Sequence, residues 1–144
     1  MRIDYGKVAP DGLQALRALG KYTHDSGLDS TLLEFVYMRV SQINGCVFCL
    51  DMHAKILRRD QVDVDKLLQL PVWWESPLFS AREKAALAWA EAVTEVADSR
   101  VPDEVYERAR GQFSEKELVD LTLAIVTINA HNRLAIAFRR EPGQ

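Results

Sequence analysis

The chain has 144 residues, 48% hydrophobic and 27% charged, with a net charge of −3. This is the size and composition of one globular domain, 1–144, able to bury a core. The acidic balance excludes a basic stripe for nucleic acid or for an anionic membrane surface. The longest apolar stretch, Leu121 to Ile128, is too short to span a bilayer, and no apolar h-region follows Met1-Arg2-Ile3-Asp4, so the expected compartment is the cytoplasm.

Helix signals recur in chain order, and no alternating run marks a strand. Pro10 to about Asp25 carries Leu13, Leu16, Ala18 and Leu19, with Gly27 as a stop. A second helix starts near Ser30 or Thr31, runs through Phe35, Val36, Met38, Val40 and Ile43, and breaks at Asn44-Gly45. The third begins around Cys46 and reaches Arg58 or Arg59. Val64 to Leu70 reads as a short helix, and Pro71 to Pro77 as a loop holding Trp73 and Trp74. Ser80-Ala81-Arg82-Glu83 is a capping box opening a helix through Leu87, Trp89, Ala90 and Val93. Pro102 starts a shorter helix ending near Gly111. A second capping box, Ser114-Glu115-Lys116-Glu117, precedes the most apolar helix, Leu118 to about Phe138. The expected fold class is all-α, with about six to seven helices.

The two cysteines stand three residues apart. In a reducing compartment such a pair is more often catalytic, redox-sensing or metal-binding than a structural disulfide. At about 100° per residue, Cys46, Cys49 and His53 fall within about 60° of one another on one helix face. In the first helical turn Cys46 meets free backbone N–H groups and the positive end of the helix dipole, which favour a thiolate. His53, one turn beyond Cys49, can take a proton from that thiol or stabilise its anion. Structural cysteines, a zinc site and a redox dithiol are the three readings. A closed zinc site needs a fourth ligand, and the other histidines, His24 and His131, are isolated in sequence. The residue types favour redox chemistry. Glu34 has two readings of its own. Its carboxylate reaches His53 if the second and third helices pack side by side, or it closes a capping box, Thr31-Leu32-Leu33-Glu34.

Glu34 followed by Arg39-x-Ser41-Gln42-Ile43-Asn44-Gly45-Cys46-x-x-Cys49-x-x-x-His53 resembles the core motif of the AhpD-like alkylhydroperoxidases, in the carboxymuconolactone decarboxylase superfamily. The segments Trp73-x-x-Ser76-Pro77-Leu78-Phe79-Ser80, Ala86-Leu87-Ala88-Trp89 and Ile128-Asn129-Ala130-x-Asn132-Arg133 extend the resemblance over nearly the whole chain. It implies a compact helical AhpD-like domain that reduces a small hydroperoxide. Cys49 is then the peroxidatic thiol, Cys46 the resolving thiol, and His53 with Glu34 the proton relay. It also implies an external dithiol reductant, no metal, flavin or haem, and a homo-oligomer, a hexamer ahead of a trimer. The alternative is a general dithiol–disulfide oxidoreductase or a redox-sensing protein. The chain departs from the family pattern in two respects. Val47 and Phe48 stand where peroxidase members carry a further histidine between the cysteines, and His131 stands where the subgroup has Trp. The superfamily's decarboxylases act without the cysteine pair. Asn129, Asn132 and Arg133, polar groups in an apolar helix, are expected to join helices or subunits rather than to bind substrate. Trp73 and Trp74 are expected to pack down their loop.

Overall fold

Side chains that take up free backbone N–H groups set most of the helix starts. The computed structural model describes residues 1–143. Among them run α1 (Tyr5–Val8), α2 (Pro10–His24), α3 (Ser30–Asn44), α4 (Val47–Arg59) and α5 (Val64–Gln69). A 3₁₀ turn (Leu70–Val72) leads on to α6 (Ala81–Thr94), α7 (Val96–Ser99), α8 (Asp103–Arg110) and α9 (Glu115–Ala137). No strand occurs among the described residues. Nine helices exceed the expected count because α1 and α7 are four-residue turns, too short to carry a hydrophobic period.

Both capping boxes form. Ser80 Oγ accepts from Glu83 N at 3.1 Å while the Glu83 carboxylate accepts from Ser80 N at 2.7 Å. Ser114 and Glu117 repeat the exchange at 3.2 and 2.9 Å. The box at Thr31 does not form. Asp29 caps α3 instead, accepting from Leu32 N at 2.8 Å, which leaves Glu34 free to face α4. With the helix begun at Ser30, Thr31 lies inside its first turn and cannot be its N-cap.

α3 packs on α4, α6 and α9, and α9 also packs on α2 and α6. Leu33, Val36 and Val40 of α3 meet Leu121, Ala124, Ile125 and Ile128 of α9 in the main core, with Ala85, Ala86 and Ala90 of α6 beside them. This central position accounts for the apolarity of α9, although Val119 and Val126 face outward. A second cluster joins Phe35, Leu70, Trp73, Phe79 and Leu87. Trp73 is thus core, its Nε1 donating to Glu91 Oε1 at 2.8 Å, whereas Trp74 is exposed. No helix among the described residues is long and apolar enough to cross a membrane.

The polar residues of α9 bind helices of the same chain. Asn132 is fully buried. Its Oδ1 accepts from Asn44 Nδ2 at 2.9 Å, and its Nδ2 donates to Ser41 Oγ at 3.0 Å. Asn129 accepts from Asn44 at 3.0 Å and donates to Thr94 Oγ1 on α6 at 3.0 Å. Arg133 donates to the Asn129 side chain at 2.6 Å. Replacing Asn132 with Ala strands the Ser41 hydroxyl and part of the Asn44 amide. The expected cost is about 2–4 kcal/mol of unfolding free energy, read as a fall in the urea midpoint at unchanged slope. A loss within experimental error would refute the account.

Candidate functional site

The site is built on the junction between α3 and α4. Gly45 ends α3 in the left-handed region, φ 71°, with Gly45 N bonded to Gln42 O at 3.2 Å and Cys46 N to Ser41 O at 3.0 Å. Only glycine enters that region without strain. The sharp exit leaves Cys46 extended as the N-cap of α4 rather than within its first turn, which corrects the sequence expectation by one position. The cap is a sulfur: Cys46 Sγ accepts from Cys49 N at 3.3 Å. Both cysteines are free thiols and both are buried.

Electrostatics separates the two sulfurs. A hydrogen bond from the Cys49 thiol holds Cys46 down to about 7, with help from the Cys49 N–H and the Asn132 amide and against the opposing effect of burial. Cys49 moves the other way, raised by donating to Cys46, by burial and by the Cys46 charge. The first negative charge therefore belongs to the capping sulfur, which meets the N–H groups of the helix start.

His53 lies one turn past Cys49 on α4 and is buried. Its Nδ1 is 2.7 Å from Glu34 Oε2 on α3, and the Glu34 side chain is only 13% exposed. The two helices do pack side by side, and the four residues singled out in the sequence form two bonded pairs, Cys46 with Cys49 and His53 with Glu34, one helical turn apart on α4. Tyr37 lies against the imidazole, ring centroids 5.2 Å apart. His53 Nε2 is buried and is the only such side-chain nitrogen or oxygen without a hydrogen-bond partner among the described residues. The Glu34 contact sets the roles of the ring nitrogens. With Nδ1–H donating to the carboxylate, Nε2 is the basic nitrogen.

The site has two openings. On the His53 side, a cleft of about 190 Å³ lies among α2, α3, α4 and α9, with Tyr37, Met52, Ile128 and His131 in its wall. On the Cys46 side, a smaller cleft of about 90 Å³ runs between the start of α4 and the end of α9, past Phe48, Ile136, Arg139 and Arg140. Neither Trp73 nor Trp74 lines either cleft. Among the described residues no group of three or more His, Cys, Asp or Glu side chains is placed to hold a metal ion. Sequence reasoning flagged Asn132 as a helix tie but missed its place beside the thiols, because only the packing of α9 against α3 brings it there.

This helical architecture is that of AhpD-like proteins. A protein of unknown function from Agrobacterium tumefaciens, whose suggested role is that of the antioxidant defence protein AhpD, matches it with a TM-score of 0.95. The two are 40% identical over 99% of this chain and 98% of that one. An uncharacterised peroxidase-related protein with an alkylhydroperoxidase AhpD core, from Ralstonia eutropha, shares the fold alone, at TM-score 0.83 and 22% identity over 96% of this chain and 72% of that one. The chain belongs to the carboxymuconolactone decarboxylase family, whose model matches residues 10–92, from α2 through most of α6. The uncharacterised protein YdfG of Bacillus subtilis is 40% identical over 136 residues, 94% of this chain and 92% of its own length.

The separation of the two sulfurs predicts selective alkylation. In the reduced protein, iodoacetamide should modify Cys46 with a midpoint near pH 7, because the thiolate population rises through that value. Cys49 should stay unmodified until much more alkaline pH. Peptide mapping that finds both cysteines rising together near the free-thiol value of about 8.5 would remove the asymmetry.

Proposed function

We propose that the protein is a thiol-dependent hydroperoxide reductase. The observation that carries this reading is the buried His53–Glu34 pair one helical turn from a buried dithiol. A carboxylate that takes the Nδ1 proton leaves Nε2 as the acceptor nitrogen, and that nitrogen is unpartnered. Cys49 gives up its proton to His53, and its sulfur attacks the terminal oxygen of R–O–OH. The O–O bond breaks, R–O⁻ leaves and takes a proton to become the alcohol, and Cys49 becomes a sulfenic acid. Cys46 then displaces hydroxide from that sulfur. Water and the Cys46–Cys49 disulfide result. An external dithiol returns two electrons and two protons and is itself oxidised to a disulfide. None of these steps calls for a metal, flavin or haem.

The reverse order, with Cys46 attacking and Cys49 resolving, is favoured by the lowered pKa of the capping sulfur. Against it, His53 stands on the Cys49 side, where a proton must be moved.

Single substitutions decide among these readings. Cys49→Ser should abolish consumption of cumene hydroperoxide. Cys46→Ser should allow one turnover and stall with a sulfenic acid that dimedone traps on Cys49. His53→Ala should slow the reaction about 10²- to 10⁴-fold at neutral pH, with partial recovery as pH rises. Glu34→Gln should act in the same direction through His53. Dimedone labelling of Cys46 in Cys49→Ser, with none on Cys49 in Cys46→Ser, would establish the reverse order. A dithiol that cycles with disulfides but leaves hydroperoxides untouched would make the protein a general dithiol–disulfide oxidoreductase or redox sensor.

A homo-oligomer, hexameric or trimeric, belongs to the same reading, with Val119 and Val126 on the outer side of α9 available for contact. Light scattering of the reduced protein should give a multiple of the 16.3 kDa chain mass. A monomer mass at micromolar concentration removes the oligomer and leaves the chemistry untouched.

A further inference from the structure

All three histidines of the chain line one cavity. His24 from α2, His53 from α4 and His131 from α9 meet around the cleft of about 190 Å³. The rest of the wall includes Gly20, Tyr37, Met52 and Ile128, and no Lys, Arg, Asp or Glu lines it. His24 is largely exposed and held by Asp25, Nδ1 to Oδ1 3.3 Å. The other two are different. His53 is 5% exposed with its Nε2 unpartnered. His131 is half-buried, and its side chain makes no hydrogen bond to the described residues. Burial pushes its imidazole below the ordinary histidine value, and the nearby Arg17, His53 and Arg140 act in the same direction. At neutral pH it is therefore uncharged, with one N–H donor and one acceptor nitrogen.

Two buried or half-buried imidazoles with free hydrogen-bonding capacity, set in an apolar wall, describe a ligand by complementarity. Most of its surface must be apolar to match Tyr37, Met52 and Ile128. Its polar part must be an uncharged oxygen that both donates and accepts, because an ion would lose its water with no opposite charge on the wall. It must be small, since the cleft falls below the roughly 300–1,000 Å³ of drug-sized ligand sites.

We propose that this cleft binds a small uncharged organic molecule bearing a hydroxyl or hydroperoxyl group, and that His131 is the positioning residue that hydrogen-bonds its oxygen on the side of the cleft that His53 lines. The proposal rests on the hydroperoxide reading above and names its substrate-binding side. The hydrocarbon part of R–O–OH lies against Met52, Tyr37 and Ile128, and its O–O end reaches His53, one turn along α4 from Cys49. His131 N–H donates to the RO oxygen that leaves as the alcohol.

The test uses the reduced wild-type protein and 2-phenyl-2-propanol, the alcohol that cumene hydroperoxide leaves, which does not react with thiols. With only three histidines, the imidazole C–H signals form a simple NMR spectrum to follow during the titration. The expected result is saturable binding that shifts the His53 and His131 signals together. His131→Phe, which keeps a planar ring without nitrogen, should weaken binding about fivefold to tenfold, the effect of one hydrogen bond. His131→Gln should recover part of the loss, since its amide also donates. The KM for cumene hydroperoxide should follow the same order. Absence of saturable binding, binding that leaves both signals unmoved, or equal affinity in a folded His131→Phe would each overturn the proposal. If His131→Phe does not fold, the His131 signal in the wild-type titration decides. Turnover of hydroperoxide without alcohol binding overturns the cleft and leaves the thiol chemistry standing. Binding without any turnover supports the cleft and removes the peroxidase reading.

Discussion

The left-handed turn at Gly45 and the polar bridge behind it hold the site together. The turn ends α3, reverses the chain within a residue and delivers Cys46 in the extended conformation that an N-cap requires. The bridge, from Asn44 and Ser41 of α3 to Asn132 of α9, pins that turn against the central helix. Without both, α4 would start at another angle and its thiol face would not meet Glu34 of α3. Buried amides tolerate this position because every bond they need is made inside the protein.

The His53–Glu34 pair depends on that geometry. A carboxylate and an imidazole taken out of water at a helix interface lose solvation that their mutual attraction only partly returns. Such a pair is weak evidence for stability and better evidence for a proton-handling role, since its geometry leaves one nitrogen bare and basic. The surrounding apolar contacts, Tyr37 above all, strengthen the effect by excluding water.

The dithiol is asymmetric for a related reason. Both sulfurs are equally buried, yet only Cys46 sits where backbone N–H groups converge, so one proton shared between them resides on Cys49. A low-pKa thiol is also the better leaving group when a disulfide is reduced. The asymmetry therefore bears on both halves of a redox cycle. The two clefts reinforce it: one reaches His53 across an apolar wall, and the other reaches Cys46 past Arg139 and Arg140.

Local chemistry made much of this legible beforehand. The capping boxes at Ser80 and Ser114, the break at Asn44-Gly45 and the one-face spacing of Cys46, Cys49 and His53 are each decided within a few residues. Sequence by itself therefore determined an all-helical chain with a thiol helix and most of its boundaries. It misjudged what depends on the exact helix start or on distance. Asp29 rather than Thr31 caps α3, because the helix starts at Ser30 and places Thr31 inside its first turn. The four-residue helices α1 and α7 carry no period to read. Tertiary structure alone decided that Glu34 faces His53, that Asn132 lies beside the thiols, and that His24, His53 and His131 share a cavity. These meetings are set by the packing of α2, α3, α4 and α9, and helix-to-helix packing depends on side-chain shape across the interface, which no spacing along one chain segment records.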